Sequence, residues 1–454
     1  MKKNCNSIFS KLLLLILTLS IVLSAFTACD LFSYVADGKA EIEQNIADTS
    51  DDTYYRYVSD YLREWGMPLY DTVKFTYFEE CFLQLFNHKD GMPTVLDHAR
   101  LTAVDFLDNY YDKINIENKT EVTDALLDCY VNALGDPYSA YRPPVETDEY
   151  LTDMSGKFGG IGVMVEYNDA DESIMVNTVY PGSPAEAAGI KVGDFILAVD
   201  GKTVEDVGYL NAVNYVRGEI GTKVEITLLR GEETVTVVAT RAEVEEINAS
   251  YSIDTENNIG YVQIVAFKQN TFDQFKKSII ALETAGVDGI IFDLRGNPGG
   301  YVDSVVSVIS YLIPDGKVVM SYQYKGRDTT LLFANDNGDD HVVDLPFVVL
   351  CNEYTASAGE IFTAALRDYR NMGILNATIV GTTTYKKGVM QNTYYYPGDE
   401  STVTLTVAYY NPPCGINYDG IGVTPDRIVE LDESGEDNQL KAALEEMKKL
   451  INAN

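Results

Sequence analysis

Between residues 257 and 430 short, continuous apolar runs alternate with amphipathic segments, and this alternation restricts the fold more than any other feature of the chain. Residues 259–264, 289–294 and 347–351 read as strands, the second a continuous apolar run but for Asp293 near its end and the third apolar throughout. Residues 271–284 and 302–312 carry apolar side chains at three and four spacing and read as helices. A strand apolar at every position must be covered on both faces, and helices between such strands are the usual crossovers of a parallel sheet. An α/β core is therefore expected over 244–430, with a polar, acidic surface excursion or β-hairpin without evident chemistry at 325–344 and a C-terminal helix or tail at 431–454.

A second pattern precedes it. Residues 161–167, 173–179, 195–199, 224–229 and 234–240 alternate as short strands, with one helix at 207–217 among them, which predicts a small β-rich module over 156–243. It opens with Phe158-Gly159-Gly160-Ile161-Gly162 and contains Pro184-Ala185-Glu186-Ala187-Ala188-Gly189-Ile190, Val192-Gly193-Asp194 and Asp200-Gly201. In this order the motifs resemble a PDZ domain. The residues agree with that resemblance physically. Glycines allow successive N–H groups to turn toward a carboxylate, and the next strand edge can pair with an incoming peptide. Gly159, Gly160, Ile161 and Gly162 are the candidate peptide-binding residues.

Upstream the spacing is helical. Thr120 is a candidate N-cap, Val122, Ala125, Leu126, Cys129, Tyr130 and Ala133 share one face, and Gly135 can end the helix. Residues 95–110 read similarly, so 53–155 is expected to be a helical region, a packing or homo-oligomerising element without chemistry. Residues 29–52 are polar and acidic, as in a tether.

The N-terminus suggests export. Lys2, Lys3 and Lys11 precede an apolar run at 12–25, too short for the roughly 20 residues of a membrane-spanning helix. Phe26-Thr27-Ala28-Cys29 follows and resembles a bacterial lipoprotein signal, with 1–28 removed and Cys29 lipidated; cleavage near Ala28 or an uncleaved anchor are the alternatives. The expected location is the outer face of a bacterial cell membrane. The chain has 34 Lys plus Arg against 69 Asp plus Glu, a formal charge of -35, and the three lysines of the first 29 residues face no acid, so the remainder carries -35 minus 3, or -38. Such a surface repels nucleic acid and anionic lipid.

No C-x-x-C occurs and the three histidines His88, His98 and His341 are scattered, which disfavours a metal site and gives a Ser-His-Asp triad no natural member. Nor do the glycine-rich stretches have the spacing of a nucleotide-binding loop. No cofactor is expected. Cys81, Cys129, Cys351 and Cys414 permit three pairings that spacing does not distinguish, and buried free thiols are the simpler reading.

Three segments carry the chemistry. Asn352 to Ala356 turns from a core strand into a helix opened by Ser357-Ala358-Gly359-Glu360-Ile361, so a serine stands where the helix dipole and free N–H groups suit an oxyanion. Locally, Ser357 or Thr355 could equally be a helix cap. Asp293-Leu294-Arg295-Gly296-Asn297-Pro298-Gly299-Gly300 follows another strand and could expose backbone donors. Gly381-Thr382-Thr383-Thr384-Tyr385-Lys386-Lys387-Gly388-Val389-Met390-Gln391 offers a lysine.

Together these segments resemble the carboxyl-terminal processing peptidases, or tail-specific proteases, from Leu134-Gly135-Asp136-Pro137-Tyr138 to Gly420-Ile421-Gly422-Val423-Thr424-Pro425-Asp426. The resemblance implies a crotonase-like or Clp-protease-like core and a serine endopeptidase with Ser357 as nucleophile, Lys387 as base and Gln391 orienting the lysine. It also implies an oxyanion hole from Ala358 N–H and the Gly299/Gly300 loop, and protein substrates with free apolar C-termini. Asp368 matches a recurrent family acid and is assigned a supporting role. The chain departs from the family at Lys386, where glycine is usual, and at Gly359, where serine is common. A base lysine must be neutral, so burial must bring its pKa from about 10.4 to roughly 7 to 8, a cost of about 3 to 4 kcal/mol; Tyr385 and Met390 could dry its surroundings. Without that activity, the same chain would be a PDZ scaffold or a hydrolase of non-peptide esters.

Overall fold

In a computed structural model of the chain, residues 69–82, 99, 102–103, 119–168, 173–324, 327–334, 343–432 and 436–453 are described. The signal, the tether, Cys29, the three histidines, most of the expected 95–110 helix and half of the acidic excursion lie outside them, as does the side chain of Thr120. Two helices come first, α1 (Leu69–Phe82) and α2 (Lys119–Ala133). Within the first of the two compact units, Lys74 pairs with Asp124 at 2.8 Å.

The second compact unit contains the rest of the described chain from Leu127 onward. The helical expectation for 53–155 fails at its end. After Gly135 the chain turns into β1 (Ala140–Arg142), which joins a five-stranded sheet of the α/β core, and then forms α3 (Pro144–Ser155). Pro143 and Pro144 start that helix and Gly156 at φ 69° ends it.

The β-rich module follows. Strand β2 (Lys157–Gly160) pairs with β9 (Ala242–Glu245), separate from a sheet of β3 (Val163–Asn168), β4 (Ser173–Val179), β5 (Phe195–Val199), β6 (Lys202–Thr203), β7 (Lys223–Arg230) and β8 (Glu233–Thr240). The path β3-β4-β5-β7-β8 leaves β3 at an edge. Helix α4 (Pro184–Ala187) is capped by Ser183, which accepts from Glu186 N–H. The expected helix at 207–217 is α6 (Tyr209–Val216), and a separate short helix, α5 (Val204–Val207), precedes it across Gly208 at φ 78°, a backbone region that other residues seldom occupy. One core holds the module together, with Ile174, Val176, Ile196, Val224, Ile226 and Leu228 under Ala212 and Val216 of α6.

The α/β core is a six-stranded sheet ordered β10 (Ala249–Asp254), β11 (Ile259–Ile264), β12 (Gly289–Asp293), β15 (Phe347–Cys351), β16 (Ala377–Gly381), β19 (Arg427–Ile428), parallel except at the β10 edge. Strands are added in one direction only, so right-handed crossovers put α7 (Thr271–Ala285), α8 (Val302–Ser310) and α9 (Ala358–Asn371) on one face. There Phe292 of β12 packs on Phe275, Phe347 and Phe362, with centroids 5.3 to 5.9 Å away. The other face requires a separate cover, and α10 (Asn438–Ala453) supplies it, laying Ala442, Ala443 and Met447 on Ile259, Ile291, Val348, Leu350 and Val380. The C-terminal segment is thus part of the core. The five-stranded sheet is completed by β13 (Val318–Tyr324), β14 (Thr330–Phe333), β17 (Val389–Tyr395) and β18 (Thr402–Asn411). Cys81, Cys129, Cys351 and Cys414 are all free thiols, and Cys414 is exposed rather than buried.

Candidate active site

Side chains that leave a parallel sheet at the carboxyl ends of neighbouring strands converge. The loop after β12 carries Gly299 and Gly300, the turn after β15 carries Ser357, and the loop after β16 carries Lys387. Since β12 pairs with β15 and β15 with β16, the three sequence segments emerge side by side.

Ser357 has φ 52° and ψ -115°, a conformation L-residues rarely adopt outside strained functional turns. Its N–H donates to Glu360 Oε2 at 3.0 Å, while its carbonyl accepts from Glu360 N–H at 2.9 Å and Ile361 N–H at 3.0 Å. The Glu360 side chain thus returns to the Ser357 N–H, as in a capping box, and the Ser357 carbonyl takes the first helical amides. Thr355 is committed elsewhere: its hydroxyl donates to the Leu294 carbonyl at 2.8 Å and ties this turn to the loop after β12.

Glu360 is the residue that sequence reasoning missed. Its side chain is fully buried and accepts four hydrogen bonds: Ser357 N–H at 3.0 Å and Lys387 N–H at 2.8 Å on Oε2, Lys386 N–H at 2.7 Å and Thr384 Oγ1–H at 2.6 Å on Oε1. Burial pushes its carboxyl pKa up against the pull of those donors. One carboxylate oxygen therefore holds the Ser357 and Lys387 amides within the sum of two hydrogen-bond lengths. A glutamate three residues after a helix-opening serine was a visible signal, but it reads as an ordinary capping box.

The paired lysines separate clearly. Lys386 is exposed and has φ 84°, which accounts physically for a glycine being usual at that position. Lys387 is half-buried, and burial lowers its pKa while Asp136 and Glu360 pull the other way. Its carbonyl accepts from the buried Tyr410 hydroxyl, which also faces the Ser357 side chain. The following Gly388 is pressed onto the 417–419 turn, its N–H donating to Asp419 Oδ1 at 2.9 Å and its carbonyl accepting from Asn417 Nδ2 at 3.0 Å. Among the described residues Ser357 Oγ and Lys387 Nζ are not hydrogen-bonded to each other, a gap that often closes only with substrate bound.

Among the described residues Gln391 has no hydrogen bond to the lysine; its side-chain amide donates to Thr406 Oγ1 at 3.0 Å across the β17–β18 pair. Tyr385 is half exposed, so drying falls to Met390, Tyr410 and Tyr138, whose ring centroid lies 4.4 Å from Lys387 Nζ. Asp368 accepts from Cys414 N–H at 3.0 Å and steadies the loop that follows β18.

Gly299, at φ 102°, lies against the serine; a Cβ there would sit 2.7 Å from Ser357 Cβ and 2.9 Å from Ala358 N. Its own N–H is taken by Asn297 Oδ1 at 2.8 Å, so the uncommitted backbone donors are Ala358 N–H and Gly300 N–H. Gly300 is locked by Phe267, whose N–H donates to the Gly299 carbonyl at 2.8 Å and whose carbonyl accepts from Tyr301 N–H at 2.7 Å.

A cavity of about 640 Å³ joins this loop to the β-rich module. Ile161 and Gly162 line it from just ahead of the module's edge strand and Val163 from the strand itself, Ala212 and Val216 from α6, and Gly296 and Pro298 from the core. Gly159 and Gly160 are not in its lining. They form β2, where Gly159 O accepts from Gly218 N–H at 3.0 Å. Among the described residues no cluster of metal-ligating side chains occurs.

Together, the fold and site define a parallel α/β core with a strained serine at a strand–helix turn, a lysine on the next loop and a small β module with an open edge strand ahead of them. Residues 258–429 match the sequence pattern of peptidase family S41 and residues 159–240 that of the PDZ domain. The chain belongs to peptidase family S41, in its PDZ-bearing form. It is 34% identical over 318 residues to the "Probable CtpA-like serine protease" of Staphylococcus haemolyticus (strain JCSC1435), covering 70% of this chain and 61% of that one. To the "Carboxy-terminal processing protease CtpA" of Bacillus subtilis (strain 168) it is 34% identical over 323 residues, covering 71% and 66% respectively. The chain thus spans between 61% and 66% of the length of these relatives. The solved photosystem II D1 C-terminal processing protease superposes with a TM-score of 0.42 at 24% identity, covering 77% of this chain and 96% of that one.

Proposed function

We propose that this chain is a serine endopeptidase that processes exported proteins from their C-terminal tails. Ser357 is the nucleophile and Lys387 the base. The observation that carries the reading is the single Glu360 oxygen holding both the strained Ser357 amide and the Lys387 amide. Neutral Lys387 takes the Ser357 hydroxyl proton as Oγ attacks the scissile carbonyl, and Ala358 N–H with Gly300 N–H receives the oxyanion. The proton then passes from the lysine to the departing amine as the C–N bond breaks. Water repeats the sequence and releases the acid.

The substrate's free carboxylate binds at the Ile161–Val163 backbone and its tail adds to the β3 edge, with apolar side chains on Ala212 and Val216. The cavity leads from there to the Gly296–Pro298 turn, which supports delivery of the same chain to Ser357. Cys29 carries the lipid that keeps the enzyme at the membrane, since the acidic remainder has no electrostatic affinity for it.

A fluorophosphonate probe should label Ser357 in the parent and nothing in Ser357→Ala, and a protein with a free apolar tail should be cut only by the parent. An unlabelled Ser357 with a folded chain would leave a PDZ scaffold as the better description. Cys29→Ser should move the protein from the membrane to the soluble fraction or stop its processing; unchanged membrane retention without incorporated lipid rejects the anchor.

A further inference from the structure

Lys387 forms no salt bridge among the described residues; its amine is instead covered by an aromatic ring from a distant part of the chain. The Tyr138 centroid is 4.4 Å from Nζ, within the range of a cation–π contact. Tyr138 lies outside both 159–240 and 258–429, in the turn ahead of the PDZ domain. That turn is well fixed. Ser139 Oγ–H donates to Asp136 Oδ2 at 2.5 Å, and Thr406 N–H donates to Ser139 Oγ at 3.4 Å. Next, β1 registers Ala140 on Thr404 of β18, the strand that also pairs Val389, two residues past Lys387, with Tyr409. The ring and the lysine are thus carried by one sheet.

We propose that Tyr138 is a positioning residue for Lys387, its ring acting as both cover and seat for the amine, so that the active site is incomplete without the segment ahead of the PDZ domain. The inference rests on the reading of Lys387 as base. Two effects of the ring oppose each other: excluding water favours the neutral amine, and the π face favours the ammonium. Asp136 and Glu360 add their charge on the ammonium side, and Tyr385 and Asp419 approach the Tyr138 phenol. Replacing the ring in different ways separates the two effects.

The test is the pH profile of kcat/KM for a quenched fluorescent peptide with a free apolar C-terminus, using the full chain. Activity rises as the lysine loses its proton, so the acid limb reports its pKa in the free enzyme. Tyr138→Phe keeps cover and π face and should leave the limb in place. Tyr138→Leu keeps most of the cover without the π face and should move it down by about half a pH unit. Tyr138→Ala admits water and should move it up by about one unit, lowering activity at pH 7 roughly tenfold. Shifts of opposite sign in Leu and Ala establish the role. Equal, pH-independent losses in all three variants, or a limb that none of them moves, would overturn it. A Lys387→Ala enzyme that retains activity removes the base assignment and this inference with it, an outcome distinct from an unmoved limb in an enzyme killed by Lys387→Ala.

Discussion

The chain contains two glycine pairs that look alike in sequence, Gly159-Gly160 and Gly299-Gly300, and the fold uses them in opposite ways. The first is ordinary extended strand, hydrogen-bonded to β9 on one side and pressed by Gly218 on the other. The second has φ of 102° and 142° and lies against the backbone of Ser357 and Phe267. At Gly159, Gly299 and Gly300 another backbone comes too close for a Cβ, whereas at Gly160 the near group is the Phe158 ring. Only at the second is a close neighbour Ser357, the serine proposed as nucleophile, so a glycine pair signals proximity and says nothing about what is near.

The largest effect that would break this contrast is expected at Gly299. A methyl there meets the Ala356 carbonyl and Ala358 N at 2.9 Å, both backbone atoms of the serine turn, and cannot rotate away. Gly299→Ala should lower kcat by about 100- to 1,000-fold, the loss typical when one oxyanion donor is displaced. Probe labelling of Ser357 should slow in parallel, with the PDZ affinity for a tail peptide unchanged. A variant with near-parental kcat would mean that the loop after β12 does not shape the oxyanion site.

A smaller effect sharpens the comparison by asking what makes the serine turn a site. Glu360→Gln preserves shape but offers an amide NH₂ to two of the four donors that now face carboxylate oxygens. Leaving a buried donor unpaired costs about 1–3 kcal/mol. Turnover should therefore fall by about 10- to 100-fold, and Glu360→Asp, too short to reach all four donors, should fall as well. Steady-state kinetics with thermal unfolding separates the two readouts: a fall in stability with kcat intact would make Glu360 a structural residue only.

The parallel sheet and the module were legible in the sequence, and so was the different backbone demand on the two adjacent lysines, for different reasons. Residues 289–293 and 347–351 are buried at every position, and only a sheet covered on both faces allows that. Lys387 stood out because Lys386 occupies a glycine position, and its φ of 84° explains the requirement. Three things were not legible. Glu360 acts through a carboxylate that bridges residues 357 and 387, and a local capping pattern hides a partner 27 positions away. Tyr138 reaches Lys387 only because β1 joins β18, a strand pairing of three residues that no periodicity announces. Gln391, expected beside the lysine, donates to Thr406 Oγ1 across the β17–β18 pair, a partner 15 positions away that local spacing does not reveal.

The smallest expected effect belongs to the first glycine pair, and it divides the two residues. A methyl on Gly159 would lie 2.1 Å from the Gly218 carbonyl oxygen, a backbone atom fixed by its bond network, so Gly159→Ala should destabilise the module by about 1–3 kcal/mol. A methyl on Gly160 meets only the edge of the Phe158 ring at 2.8 Å, and a side chain can turn aside. Its φ requires no glycine, so Gly160→Ala should cost under about 1 kcal/mol. Neither substitution touches Ile161 or Gly162, which line the cavity. Thermal unfolding of the full chain should therefore shift for Gly159→Ala and barely for Gly160→Ala, and a tail peptide should bind the Gly160 variant with parental affinity. Should Gly160→Ala lose tail binding at an unchanged unfolding midpoint, the first pair also serves a ligand, and the contrast with Gly299-Gly300 becomes one of degree.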